Sequence, residues 1–251
     1  MEVVELSNSA TMVPRNLRCL LQGASESGKS SFILKLLKNK GSMFPVCYSK
    51  FIYCSPHIGS NGYSSNRDLE YRKLLEEYCA PAEILFFNYI LTEEELLQIS
   101  ESVDGPVLFI CDDFALQLFQ SDLIYQLYTQ MSSHCRVNSI VSLHQGISGK
   151  TSGKWYQAVS QNSNYIVVFR NLANRSCLGE LSKRIFPYAD NYLSRALTRA
   201  VEVLGPYGYI VIDASLTNEL NSKFGVRSNV FLEQNLPLLL FKLLKIYYSG
   251  K

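Results

Sequence analysis

The chain has 251 residues, 47% apolar and 18% charged, a composition that excludes a mostly disordered or collagenous chain and suffices for one large α/β domain. Formal net charge is only +2, but residues 1–125 carry 10 Lys/Arg against 16 Asp/Glu, a balance of −6, while residues 126–251 carry 14 against 6, a balance of +8. A polyanionic partner would therefore meet the second half of the chain.

No Pro/Gly/Ser-rich linker divides the sequence, so one domain is expected over 1–251, with a core over about 15–232 and a C-terminal helix over about 236–248. The N-terminus lacks the basic region of a signal peptide, and the apolar run Leu236 to Ile246 is broken by Lys242 and Lys245, too short and too charged to span a bilayer. Both features predict an intracellular protein without a membrane span. The seven cysteines form an odd set with no C-x-x-C pair, which reads as buried thiols rather than a disulfide or zinc framework.

In chain order, Leu17 to Leu21 reads as a strand and Ser31 to Leu37 as an amphipathic helix. Between them stands Gly23-Ala24-Ser25-Glu26-Ser27-Gly28-Lys29-Ser30, followed by Ser31: a complete G-x-x-x-x-G-K-S phosphate-binding loop. A strand feeding a glycine-rich turn that opens a helix aims backbone N–H groups and the helix dipole at one point, where a nucleotide phosphate can sit. Lys29 would reach the β- and γ-phosphates of ATP, and the Ser30 hydroxyl would ligate Mg²⁺. Phe51 to Cys54 reads as the next strand, ended by Ser55-Pro56. Tyr71 to Tyr78 reads as a helix, Ile84 to Phe87 as a short strand, and Thr92 with Glu93, Glu94 and Glu95 as the capped, acidic start of a helix running to about Ser102.

After the Asp104-Gly105-Pro106 turn, Val107 to Cys111 is too short for a helix and reads as a buried parallel-sheet strand. It ends in Asp112-Asp113. Ligands gather at the carboxyl ends of strands in an open α/β sheet, so Asp112 is the candidate second Mg²⁺ ligand and Asp113 the candidate base that deprotonates a lytic water. Further on come a helix around Leu123 to Met131, a strand Ser139 to Leu143, a basic loop Gly146 to Lys154, and a strand Tyr165 to Phe169. Helices at about Cys177–Ile185 and Asp190–Val203 precede Tyr209 to Ile212, the last clear strand. Strands alternating with helices predict an α/β fold with a mostly parallel central sheet and helices on both faces.

Gln145 follows the strand that ends at Leu143, where its amide could bond the γ-phosphate or the attacking water. His134 and His144 have no companion metal ligands and read as local hydrogen-bonding residues. A phosphoryl-transferring kinase would also use such a loop, but Lys183-Arg184 is the only adjacent basic pair in the second half, where an Arg-rich lid is expected. A signalling ATPase, or a capsid accessory protein that binds nucleotide without turnover, remains a second alternative.

The series Gly23 to Ser30, Val107 to Asp113, Ser133 to Gln145, Asn164 to Asn171, Pro206 to Asp213 and Val226 to Phe231 resembles the packaging ATPases of Polinton elements, adintoviruses, virophages and poxvirus-type large DNA viruses, within the HerA/FtsK superfamily. The resemblance spans about residues 15–232 in the right order. It implies a RecA-like P-loop NTPase that pumps dsDNA into a capsid, with ATP hydrolysed between subunits of a homo-oligomeric ring and capsid or portal-vertex proteins as partners. It matches Lys29, Ser30, Asp112, Asp113 and Gln145 to the family's nucleotide residues. The family's S-H-H-R-N-I-S stretch reads Ser133-His134-Cys135-Arg136-Val137-Asn138-Ser139 here, and its F-K-N-P-R-D stretch reads Phe169 to Asn174, with Ala173 in place of the arginine. Arg136 is thus the first candidate for the finger supplied to a neighbouring subunit, and Arg170 or Arg175 the second. The loop Gly149 to Trp155, basic and ending in an aromatic, is the candidate DNA-tracking element.

Overall fold

The computed structural model describes residues 13–58, 66–114, 117, 122–132, 135–143, 159, 161–170, 192–214, 225–228, 231 and 236–237. Among the described residues nine strands follow in chain order: β1 Arg18–Gln22, β2 Lys50–Cys54, β3 Glu83–Phe87, β4 Val107–Cys111, β5 Val137–Leu143, β6 Tyr165–Phe169, β7 Tyr209–Asp213, β8 Gly225–Ser228 and β9 Leu236–Pro237. They form one sheet in the order β3-β2-β4-β5-β1-β6-β7-β8-β9. The six strands from β3 to β6 are parallel, and β7, β8 and β9 extend the sheet antiparallel. A parallel sheet needs crossovers on its faces, and among the described residues these contain α1 Lys29–Lys38, the short α2 Lys40–Met43, α3 Asn66–Cys79, α4 Glu93–Glu101 and α5 Asp122–Gln126, while α6 Tyr192–Val203 lies between the antiparallel neighbours β6 and β7.

Alternation along each strand divides the core in two. Cys19, Leu21, Phe51, Tyr53, Leu108 and Ile110 face one cluster with Phe32, Ile33, Leu36 and Leu37 of α1. Leu20, Ile52, Cys54, Val107, Phe109 and Cys111 face the other, with Leu96 of α4 and Leu123 and Ile124 of α5. All five residues of β4 are 0% exposed, which is why that strand reads as a continuous apolar run rather than an alternating one. Truncating Phe109 to Ala there costs about 3–5 kcal/mol, because a close-packed site only partly collapses around the lost ring.

Local signals account for the helix ends. In α1, Lys35 and Lys38 occupy the last turn, where cations oppose the negative end of the dipole. In α4 the expected cap is a full capping box: Glu95 N donates to Thr92 Oγ1 at 3.2 Å, and Thr92 N donates to Glu95 Oε2 at 2.8 Å.

Several sequence expectations are corrected. The expected helix over Leu123 to Met131 is α5 followed by a π-turn, Leu127–Met131. Strand β5 begins at Val137 rather than Ser139, because Asn138 is a buried strand residue. Its Oδ1 accepts from Leu17 N at 3.1 Å and its Nδ2 donates to Arg15 O and Tyr48 Oη at 3.0 and 2.7 Å, so its polar atoms are satisfied without water. The last strand is not β7: β8 and β9 continue the sheet, and Leu236–Pro237, expected to open a C-terminal helix, pairs with Ser228 and Arg227 instead. Proline is compatible with this edge position, where the missing N–H removes no interior ladder bond. Cys19, Cys54, Cys79 and Cys111 are the buried free thiols expected, and burial pushes Cys54 and Cys79 up to about 12; Cys47, however, is exposed, and Cys135 is half-buried. Cys177 and the helix expected over 177–185 lie outside the described residues.

Candidate nucleotide-binding site

Strand β1 ends at Gln22, and the chain turns through the glycine loop into α1 at Lys29. The turn is fixed at three points: Gly23 N donates to Leu143 O at 3.2 Å, Ser27 N to Ala24 O at 3.3 Å, and Phe32 N to Gly28 O at 2.8 Å. Two glycines are required sterically. A Cβ on Gly23 would stand 2.7 Å from Phe169 Cβ, and Gly28 caps α1 at φ 101°, a left-handed conformation. Glu26, at φ 60°, supplies a second left-handed residue in the same turn. Successive amides in such a concave turn form an anion-binding nest. Within it Ser27 Oγ is buried and finds no hydrogen-bond partner among the described residues, an unsatisfied group that a phosphate oxygen would complete. Ser25, Glu26, Ser30 and Ser31 are exposed along the rim, and Ala24 and Gly28 are half-buried.

Lys29 is 4% exposed, and its ammonium donates to Gly23 O at 3.0 Å and Ala24 O at 2.6 Å. Burial lowers its pKa from the ordinary lysine value, and the negative charges of Asp112 and Asp113 partly restore it. The carboxylates come from β4, whose C-terminal tip lies beside the loop with β5 interposed between β4 and β1. Ser30 Oγ donates to Asp112 Oδ2 at 2.8 Å, joining the two residues expected to hold a metal ion. The donor set fits Mg²⁺, which takes one or two protein oxygens and completes its shell with water and phosphate. Asp113 follows at φ 70°, a left-handed position that the short Asp side chain tolerates better than Glu.

Three residues at this centre carried no motif. Tyr53, in β2, donates its hydroxyl to Asp112 Oδ2 at 2.8 Å; burial and then Asp112 push its phenol well above the ordinary range, so it stays a donor. Tyr71, in α3, donates to Ser30 O at 3.1 Å and lies 3.2 Å, oxygen to oxygen, from Tyr53. Burial, chiefly, also raises the Tyr71 phenol. His57 Nε2 is 3.0 Å from Asp113 Oδ2. The signal that finds Tyr53 and His57 is strand adjacency: β2 pairs with β4 in register from Lys50↔Val107 to Cys54↔Cys111, so whatever follows Cys54 stands beside Asp112-Asp113.

The structure thus brings Gly23 to Ser31, Asp112 and Asp113 together. It does not bring Arg136 to them. Arg136 is exposed, at φ 55°, immediately before β5, so the seven residues of that strand separate it from the loop by about 20 Å. Arg170 follows β6 at the loop's own edge of the sheet, with its N–H donating to Gly208 O at 2.9 Å. Gln145, His134, His144, the 146–154 loop, Trp155 and Arg175 lie outside the described residues.

A glycine loop between β1 and α1, an acidic tip on β4 and one strand interposed between them define an α/β P-loop NTPase fold of the RecA-like class. No protein-family profile matches the chain, and no curated protein matches it by sequence. Among solved structures it is similar to the genome packaging NTPase of Sulfolobus turreted icosahedral virus 2 in complex with ATP-gammaS, with a TM-score of 0.47 and 15% identity over 83% of this chain and 94% of that one. It is also similar to EssC (ATPases 2 and 3) from Geobacillus thermodenitrificans, with a TM-score of 0.37 and 12% identity over 61% of this chain and 32% of that one. A third similar structure is Thermomonospora curvata EccC (ATPases 2 and 3) in complex with a signal sequence peptide, with a TM-score of 0.38 and 14% identity over 63% and 30%. At these identities the likeness concerns fold alone.

Proposed function

We propose that this chain is an ATP hydrolase that works as a dsDNA translocase, packaging the genome of a virus or virus-like element into a capsid. The observation that carries the hydrolytic reading is the Ser30 Oγ to Asp112 Oδ2 contact at 2.8 Å, with Asp113 next in the chain and Lys29 buried in the same loop. The ordered resemblance from Gly23 to Phe231 supports the DNA and packaging part, and the +8 balance of residues 126–251 suits a sequence-independent phosphate-backbone contact. The work would take place at an intracellular assembly site, nuclear or cytoplasmic, or in the virion, on a ring of identical subunits docked to capsid or portal-vertex proteins.

The residues divide the reaction as follows. The loop amides and Ser27 hold the β-phosphate, and Lys29 neutralises β- and γ-oxygens. Bound Mg²⁺, held by Ser30 and Asp112, would supply further neutralisation of the phosphate charge. Tyr53 keeps Asp112 aimed at Ser30. Asp113 accepts a proton from the attacking water, with Gln145 as the second group to orient it. Arg136, too far from its own chain's loop, is assigned to the neighbouring subunit's site, where a head-to-tail ring contact would present it.

DNA-stimulated turnover of the purified protein tests the reading. Addition of dsDNA to the assembled ring should raise the ATPase rate; a rate indifferent to dsDNA in every oligomeric state rejects the motor and leaves a P-loop enzyme of another kind.

A further inference from the structure

We propose that Tyr207 is the platform on which the base of the bound nucleotide stacks. The inference deepens the nucleotide reading above and rests on it. Its starting point is direction. Ser30 and Asp112 mark the end of the site where a metal would bridge the β- and γ-phosphates, and Asp112 reaches the loop from the β5–β4 side of β1. The nucleoside of a nucleotide seated that way extends to the other side, past Gly28 toward β6 and β7.

An aromatic wall stands on that side. From the position a Cβ would take on Gly28, Phe169 Cε1 is 3.9 Å away and Tyr207 Cδ1 is 3.8 Å away. Phe169 is buried, packed edge-on against Phe32 and tilted against Tyr209, and so belongs to the core. Tyr207 is 72% exposed beside the loop, and among the described residues it is one of only five large hydrophobic side chains left open to solvent. The turn that carries it is tied at both ends: Gly208 N donates to Gly205 O at 3.0 Å, and Gly208 O accepts from Arg170 N at 2.9 Å. Because β7 runs antiparallel to β6 with Tyr209 opposite Phe169, this turn lies at the loop's edge of the sheet rather than the opposite one. A flat ring held on a fixed turn next to a phosphate cradle suits a base face. Aromatic stacking on a base tolerates any base, so the platform favours nucleotides over polyphosphate without selecting one base strongly.

Equilibrium titration of the full chain with Mg²⁺ and either ATP or inorganic tripolyphosphate separates the base contact from the phosphate contact. Tyr207→Ala should weaken ATP roughly tenfold while leaving tripolyphosphate affinity within about twofold, and Tyr207→Phe should bind both like the parent. Unchanged ATP affinity in Tyr207→Ala overturns the platform but leaves the nucleotide site standing, and so does an equal loss for ATP and tripolyphosphate. If the parent protein binds neither ligand, the nucleotide reading fails and the platform with it. Thermal melts of both variants matching the parent establish that the exposed side chain was removed without unfolding the turn.

Discussion

His57 Nε2 stands 3.0 Å from Asp113 Oδ2, a contact between the segments that follow two adjacent parallel strands, β2 and β4. It fixes the orientation of the carboxylate assigned as the base. Asp113→Asn should bind nucleotide normally and lose turnover, since an amide cannot take the proton. His57→Ala should keep KM within about threefold and lower kcat about tenfold, equivalent to about 1.4 kcal/mol of transition-state stabilisation. A kcat that rises in His57→Ala would instead mean that the histidine restrains the base.

Lys29 is buried, and its lowered pKa means that the folded state disfavours the ammonium relative to the unfolded chain. Replacement by an apolar side chain of similar length removes that penalty, but it also leaves the Gly23 and Ala24 carbonyls without the ammonium donor. The two effects oppose, so Lys29→Met should melt close to the parent temperature while losing nucleotide binding. The pH dependence has a definite sign: the stability difference is fully present below the folded-state pKa of Lys29 and fades as pH rises toward the ordinary value of 10.5, where the unfolded lysine also sheds its proton. Differential scanning calorimetry of both proteins across pH 7 to 10 checks this; a Met variant far less stable at neutral pH contradicts it.

At Arg136 a non-glycine side chain sits at φ 55°, which costs about 1–2 kcal/mol. Two substitutions separate local strain from catalysis. Arg136→Gly should raise stability relative to Arg136→Ala by about 1 kcal/mol, and both should abolish hydrolysis by assembled rings while leaving nucleotide affinity of the monomer intact. Full turnover by rings of Arg136→Ala removes the arginine from the trans role, and mixing experiments with Arg170 variants would then decide the second candidate.

Gly23 faces a backbone-proximal atom rather than a flexible tip: a methyl there would approach Phe169 Cβ to 2.7 Å and Ser27 Oγ to 2.5 Å. Gly23→Ala should lower thermal stability and weaken nucleotide binding together, because relief of the clash must move either β6 or the loop. Circular dichroism melts and ATP titration of the one variant test both arms.

The loop, the β4 strand and its two aspartates were legible because each is specified locally, by glycine spacing or by an apolar run too short to be anything but a strand. The capped start of α4 was equally local, written in Thr92 and Glu95. What escaped depends on which strand lies beside which. Tyr53 belongs to the expected strand Phe51 to Cys54 and His57 carries no motif; only the pairing of β2 with β4 makes them neighbours of Asp112 and Asp113. Asn138 lies just before the strand expected from Ser139, and nothing local shows that its three partners come from the segment before β1 and from Tyr48. The antiparallel edge of β8 and β9 has four and two residues, too few to show a period.

Helix α3 buries Leu75 and Cys79, packs Tyr71 and Tyr78 against the same core cluster, and through Tyr71, in its N-terminal half, touches both Ser30 O and Tyr53 Oη. Fourteen residues of helix make a rod about 21 Å long. Through Tyr71 that rod is joined directly to the backbone of the residue that follows Lys29, so the first turn of α1 and the length of α3 share one hydrogen-bonded joint.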